Sequence, residues 1–279
     1  MGAPDETYVI EKKREAGNDM RKTVLITGVS GGIGKELADR FAKGGHHIVL
    51  VARSEGKIQD LAQEYQKKYG IQTTVIAKDV AAPGVPQEIY NELKEKGIVV
   101  DYLVNNAGFG LFCTFMETEL EQEVNMIDVN IKALTIMTKL FLPDMIQRGH
   151  GGVMNVASLV GFFPGPMMSV YYATKAYVLS FTEALENEVS GTGVTVTALC
   201  PGLTSTGFVD RSGMGVSKML QGPIMEAGQV AEEGYQGFLR GKTLIMPGAR
   251  NRFIAFMPRL LPRKMMTRMI RSTQDKTGH

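Results

Sequence analysis

Tyr171 and Lys175 place a phenol and an ammonium four residues apart. On a helix this spacing brings both to one face, about 6 Å apart along the axis. A phenol ordinarily holds its proton up to a pH of about 10. A cation on the adjacent turn favours the phenolate and lowers that value. The pair is therefore a candidate proton donor and acceptor near neutral pH. The same spacing is common on solvated helices, so its meaning depends on what else the chain brings to it.

The elements that must position the pair can be read from patterning. Seven short runs, apolar nearly throughout, span residues 23–27, 47–52, 73–78, 99–105, 152–157, 194–200 and 243–246. Such runs suit strands buried on both faces of a parallel sheet. Between them Ile33, Leu37 and Phe41 recur at helical spacing, as do Ile58 with Ala62 and Ile89 with Leu93. Strand–helix alternation predicts right-handed crossovers and a doubly wound, seven-stranded parallel α/β sheet of the Rossmann type. No composition break or internal repeat divides the chain, so residues 23–248 read as one domain. Residues 1–22, with five acidic and five basic side chains, read as a mobile arm.

The composition, 44% hydrophobic and 22% charged, is that of a globular protein. The longest apolar run, residues 48–52, is far too short to span a membrane. The N-terminus lacks the apolar core of a signal peptide, so a cytoplasmic location is expected. Cys113 and Cys200 form no disulfide framework and lack metal-ligand spacing, which makes both candidates for buried small residues and predicts no metal site. Net charge is +2, but the basic extension 249–279 carries +7, which leaves −5 on residues 1–249 and argues against a nucleic-acid-binding body. The extension alternates apolar and basic residues. Three readings stand open for it: packing over the cleft or a partner subunit, lying on an anionic membrane surface, or forming an ordinary solvated helix.

The first strand runs into Thr27-Gly28-Val29-Ser30-Gly31-Gly32-Ile33-Gly34. Glycines here allow a tight turn and close approach of a phosphate to the start of the next helix, whose free N–H groups attract anions. The second strand ends in Ala52-Arg53-Ser54, where a ribose 2′-phosphate wants a guanidinium and a free 2′-hydroxyl wants a carboxylate. Arg53, with Ser54 as a further donor, favours NADP(H) over NAD(H). Asp79-Val80 ends the third strand, where Asp79 either meets an adenine or caps a helix. The fourth strand ends in Asn105-Asn106-Ala107-Gly108, small residues suited to lie against a cofactor. A long helix over residues 117–145 contains Asn130, which either bends it and holds a water or faces solvent. The loop of residues 162–168, rich in Phe, Pro and Met, is expected to roof a pocket.

Five of these segments occur in one order: 27–34, 105–108, Ser158, 171–175, and Pro201 with Gly202. In this the chain resembles the single-domain branch of the short-chain dehydrogenase/reductase family, and is similar to its bacterial ketoacyl-reductase-like and hydroxysteroid-dehydrogenase-like members. The resemblance implies an oxidoreductase that transfers a hydride between NADP(H) and a carbonyl or alcohol. It implies Tyr171 as general acid/base, Ser158 polarising the carbonyl, Lys175 lowering the Tyr171 pKa and holding the nicotinamide ribose, and Asn130 anchoring a proton-relaying water. It also implies that Gly28, Ser30, Gly32, Ile33 and Gly34 surround the pyrophosphate. Arg53 would take the 2′-phosphate, Asp79 and Val80 the adenine, Asn105 and Gly108 the adjacent ribose. Pro201, Gly202 and Thr204 would border the nicotinamide. A homodimer or homotetramer is implied too. One departure is Gly31, where NADP-using relatives often carry a basic residue, so the cofactor preference rests on Arg53. Many methionines after residue 160 predict an adaptable apolar lining for a bulky or elongated ketone, and the resemblance implies that the region of residues 213–225 closes over it. The alternative function is a non-catalytic NADP-binding sensor or interaction protein, whose mark would be loss of Ser158, Tyr171 or Lys175; all three are present.

Overall fold

A computed structural model describes residues 21–217 and 222–274. Most of the predicted arm, residues 1–20, therefore lies outside the described residues, as do 218–221 of the predicted closing segment and 275–279 of the extension.

Strands β1 (Thr23–Thr27), β2 (His47–Ala52), β3 (Thr73–Ala77), β4 (Tyr102–Asn105), β5 (Gly151–Val156), β6 (Val194–Leu199) and β9 (Leu244–Ile245) form one sheet. Its order is β3-β2-β1-β4-β5-β6-β9 and every pairing is parallel. The order reverses at β1, so a crevice opens at the carboxyl ends of β1 and β4. The seven-stranded, doubly wound, single-domain sheet expected from the apolar runs is present. β4 is shorter than its run, because the Asp101 carboxylate accepts the Thr23 N–H at 2.9 Å where ladder pairing would otherwise begin. Two further two-residue strands, β7 (Thr204–Ser205) and β8 (Met225–Glu226), pair beyond the sheet edge.

Helices α1 (Gly32–Lys43), α2 (Glu55–Tyr69) and α3 (Val85–Glu95) bury the predicted stripes: Leu37, Phe41, Ile58, Ala62, Ile89 and Leu93 are all inaccessible or nearly so. They divide between two cores, one on each face of the sheet.

The predicted helix 117–145 is not continuous. It comprises α4 (Leu120–Ile127), a π-helical stretch (Asp128–Ala133) and α5 (Leu134–Arg148). The wider turn rotates Asn130 inward, where its amide finds backbone partners instead of solvent. Beyond β5 lie a 3-10 turn (Leu159–Phe162), α6 (Ser169–Glu188), α7 (Phe208–Ser212) and α8 (Ala227–Leu239). The extension forms α9 (Ala249–Phe256), a 3-10 turn (Met257–Arg259) and α10 (Arg263–Gln274). Among the described residues no helix is long and apolar enough to cross a membrane. Cys200 is buried as expected, whereas Cys113 is half-exposed in the loop after β4 and its thiol faces Glu117.

Candidate active site

A cavity of about 480 Å³ runs along the carboxyl edge of the sheet. The loop after β1 supplies Gly28, Ser30, Gly32, Ile33 and Gly34 to its wall. The end of β2 supplies Arg53 and Ser54, the end of β3 Asp79 and Val80, and the loop after β4 Gly108. Ser158, Tyr171 and Lys175 line its middle; Pro201, Gly202 and Thr204 close the β6 side. Of the residues expected at the site, Asn105 and Asn130 alone are missing from the wall.

The first loop requires glycine at two places. Gly28 has φ 71°, and a Cβ there would come within 2.8 Å of the Ala107 backbone. A Cβ on Gly34 would strike the Asn106 amide and sit 2.5 Å from the Gly28 carbonyl. The loops after β1 and β4 thus press directly on one another. Asn106 locks them by donating to the carbonyls of Thr27 and Gly28, while Thr27 Oγ1 accepts from the Asn106 and Ala107 amides.

Asn105 points the other way. Its amide donates to Thr138 Oγ1 at 3.0 Å and to Asn155 Oδ1 at 2.9 Å, and Asn155 donates on to Thr182 Oγ1 at 3.0 Å. Alternation along β4 sends neighbouring side chains to opposite faces, so Asn106 meets the cavity and Asn105 ties β4 and β5 to α5 and α6. Asn105, expected beside a ribose, thus has its side chain behind the cavity wall.

Asn130 works behind the wall. Its Oδ1 accepts from the Phe109 N–H at 3.1 Å, and its Nδ2 donates to the Phe109 carbonyl at 2.9 Å and to Thr174 Oγ1 at 3.0 Å. One side chain therefore joins the π stretch, the loop after β4, and α6 beside Lys175.

Tyr171, Lys175 and Ser158 are all buried. Ser158 lies near enough to the Tyr171 phenol to ease its ionisation, while its own Oγ is engaged by the Pro201 carbonyl and the Val160 N–H. Lys175 Nζ donates to the Val156 carbonyl at 2.8 Å and lies 5.9 Å from the Tyr171 ring centre. Burial pushes the Tyr171 phenol up to about 12, against a smaller downward pull from Ser158. Burial lowers Lys175 to about 8, slightly offset by Cys200. The expected depression of Tyr171 by Lys175 is thus absent from this arrangement: the dry surroundings disfavour both charged forms, and the ammonium is turned to Val156. Tyr172, adjacent in sequence, is buried against Gly165, and its hydroxyl accepts from Gln274 Nε2 of α10 at 2.6 Å. The phenol that meets Ser158 is Tyr171.

The two ends of the cavity differ. Toward β2 and β3 it carries Arg53, Lys57 and Lys78, with Arg53 Nη1 3.5 Å from Asp79 Oδ2. Asp79 Oδ1 also accepts from the Ala81 amide at 3.0 Å in a local turn; the next helix begins at Val85 with Gly84 as its N-cap, so Asp79 does not cap it. Past Tyr171 the wall is Leu159, Val160, Met168, Leu203, Phe208 and Met214, with Arg211 at its margin. The Phe208 ring centre lies 5.2 Å from that of Tyr171. Of the pocket-roofing loop, Met168 lines the cavity while Phe163 and Met167 pack in the cluster behind it. Asn106, Thr206, Phe208 and Arg211 were not singled out for this wall by sequence. Their segments gave a signal, but their side-chain directions did not. No cluster of three or more His, Cys, Asp or Glu able to hold a metal occurs among the described residues.

Fold and site together have the form of a Rossmann-type oxidoreductase. The chain belongs to the short-chain dehydrogenase family: the family model for short chain dehydrogenases matches residues 22–215. It is 38% identical over 191 residues to sulfoacetaldehyde reductase 2 of Chromohalobacter salexigens, covering 68% of this chain and 75% of that protein. A short-chain dehydrogenase of Sphingobium yanoikuyae, solved in complex with NADPH, superposes with a TM-score of 0.78 at 31% identity, covering 92% of this chain and 98% of that one. The bulky-bulky ketone specific alcohol dehydrogenase of Comamonas testosteroni superposes with a TM-score of 0.73 at 27% identity, covering 92% and 96%.

The buried Lys175 gives a pH signature. Below pH 8 the folded and unfolded chains both carry its charge, and the folded chain does so in a dry site. That penalty is relieved as the pH rises from about 8 to the ordinary lysine value of about 10.4. The stability of the wild type relative to Lys175→Met should therefore rise across that window, by on the order of 3 kcal/mol. Denaturant unfolding at several pH values measures it, and a difference independent of pH contradicts it.

Proposed function

We propose that the protein is an NADP(H)-dependent carbonyl reductase or alcohol dehydrogenase acting on an apolar ketone or the corresponding alcohol. The observation that carries this reading is the position of Ser158, Tyr171 and Lys175 midway between a cationic, glycine-lined end and an apolar end of one cavity.

The residues present suit a dinucleotide with a 2′-phosphate. The first turn of α1 has no acidic side chain, and its amides precede the point where intrahelical bonding begins. A Cβ on Gly31 would meet no protein atom within 4 Å, which leaves room for a pyrophosphate beside these amides. Arg53 stands at the tip of β2, with its side chain 74% exposed and an exposed carboxylate as its partner. A 2′-phosphate offers that guanidinium two negative oxygens in place of one screened ion pair. The NADPH-bound Sphingobium relative supports the same cofactor.

When bound, the nicotinamide supplies or accepts the hydride. Ser158 donates a hydrogen bond to the substrate carbonyl oxygen and polarises it. Tyr171, held protonated by burial, donates its proton to the same oxygen as alkoxide character develops. An alkoxide is far more basic than a phenolate, so the transfer runs downhill even from a phenol near 12. Lys175 is positioned to hold the nicotinamide ribose and, as an ammonium, to favour the phenolate that remains. The second lone pair of Asn130 Oδ1 faces Gly108 beside Lys175, a place where a water could pass protons onward. Acid–base catalysis of this kind contributes about 10²–10⁴-fold. The apolar wall of Met168, Phe208 and Met214 supports a bulky or elongated ketone, as does the ketone specificity of the Comamonas relative.

Tyr171→Phe should lower turnover by at least about 10²-fold while leaving NADPH affinity within a few-fold of wild type. Steady-state rates beside fluorescence titration check this, and substantial residual turnover sinks the assigned role. Arg53→Ala should weaken NADPH about tenfold or more and NADH little, since about 1.4 kcal/mol is tenfold and a charge-assisted bond is lost. Equal losses for the two cofactors would remove the 2′-phosphate contact. The helices holding Asn130 and Tyr171 also present an apolar groove of Phe115, Ile127, Ile131, Val170, Ala173 and Tyr177. We infer that a homodimer or homotetramer covers it; light scattering should read a multiple of the chain mass, and a monomeric mass contradicts this.

A further inference from the structure

The extension that follows β9 has two faces of different character. On the inner face Ile254, Leu261, Met266 and Ile270 pack against the apolar cluster that contains Phe112, Phe163 and Tyr172. Gln274 fastens the end of α10 by donating to the Tyr172 hydroxyl. Tyr172 also lines the cavity, so the extension is fastened to the back of a residue of the cavity wall.

The outer face is both apolar and cationic. Phe253 and Leu260 are each 69% exposed, and Phe256, Met265 and Met269 are exposed as well. The spacings 253–256 and 265–269 place these side chains together on α9 and on α10, and Leu260 follows the 3-10 turn that joins them. Among and beside them stand Arg250, Arg252, Arg259, Arg263, Lys264 and Arg268, all exposed. Arg259 lies over the Phe256 ring, its guanidinium 5.8 Å from the ring centre. No Asp or Glu occurs between Ala249 and Gln274, in a chain whose residues 1–249 carry a net −5.

We propose that the α9–α10 face docks on an anionic lipid bilayer. Exposed aromatic and aliphatic side chains enter the headgroup–acyl boundary, and long cationic side chains flank them and meet lipid phosphates. Pro258 and Pro262 break the segment into two short pieces, which suits lying in the interface and not crossing it. A second copy applied to the same face would set one cluster of cations against another, which is unfavourable. A nucleic acid would pair with the cations but leave Phe253 and Leu260 unburied at its phosphates. The bilayer is the partner that satisfies both properties together. Docking on this face brings the Tyr172 side of the cleft toward the membrane, a route of entry for a lipophilic ketone under the reaction proposed above. The docking itself does not depend on that reaction.

Vesicle flotation tests it with the full chain. The probes are vesicles of phosphatidylcholine alone and of phosphatidylcholine with about 30% phosphatidylglycerol. Binding should be at least about tenfold tighter to the anionic vesicles and should fall about tenfold or more in about 0.5 M sodium chloride. Two triple variants, Phe253→Ser/Phe256→Ser/Leu260→Ser and Arg263→Gln/Lys264→Gln/Arg268→Gln, should each weaken anionic-vesicle binding about tenfold or more. NADPH titration of each variant confirms that the cleft is intact. No binding, equal binding to both vesicle types, or loss with the cation variant alone overturns the proposal. So does a doubled mass in solution that the Phe253→Ser variant abolishes.

Discussion

Lys175 carries its side-chain nitrogen into the buried wall of the cleft, and the architecture around it follows from holding it there. An isolated buried charge is costly unless a partner receives it. The partner is the Val156 carbonyl at the end of β5, 2.8 Å from Nζ. Making that bond draws α6 down onto the sheet edge, which in turn demands a small neighbour. A Cβ on Gly161 would lie 2.7 Å from the Lys175 carbonyl. With α6 seated this way, Tyr171 falls one turn from Lys175 and beside Ser158. Tyr171 and Ser158, the proposed proton-transfer groups, thus stand beside a buried lysine.

Buried amides secure this seating. Asn130 joins the loop after β4 to α6, and Asn105 with Asn155 ties β4 and β5 to the helices on the same side. Each unit replaces water by a fixed donor or acceptor, so the carboxyl edge is held rigidly where a floor for the cavity is required. The two ends can then differ without disturbing the centre. One combines a helix N-terminus with cations; the other combines methionines and aromatics with a segment from the end of the chain packed behind them.

Much of this was legible in the sequence. The strand runs are apolar nearly throughout, which suits a sheet covered on both faces, and β1 and β2 begin and end where their runs do. The glycine loop, Ser158 and the 171–175 pair were legible because backbone approach and spacing constrain residue type directly. The direction of Asn105 was not, because in a four-residue strand one position of register decides which of two adjacent asparagines meets the cavity. The π stretch at 128–133 leaves no mark on apolar periodicity, so whether Asn130 bends the helix or faces solvent was open from the residues alone. The sign of the Tyr171 shift was also hidden. Spacing brought the cation near, but the loss of water, which outweighs it, is a property of the whole fold. The bond between Tyr172 and Gln274 spans 102 positions and has no local signal.

The central claim is that this cleft transfers hydride between a nicotinamide and a carbonyl carbon. Incubation with NADPH deuterated at the transferring nicotinamide carbon, against a panel of acyl, steroidal and bulky aromatic ketones, tests it most directly. The account predicts an alcohol product with one deuterium on the carbinol carbon, read by mass spectrometry, for members of the apolar set. Tight binding of NADPH with no deuterium passed to any ketone of the panel would contradict it.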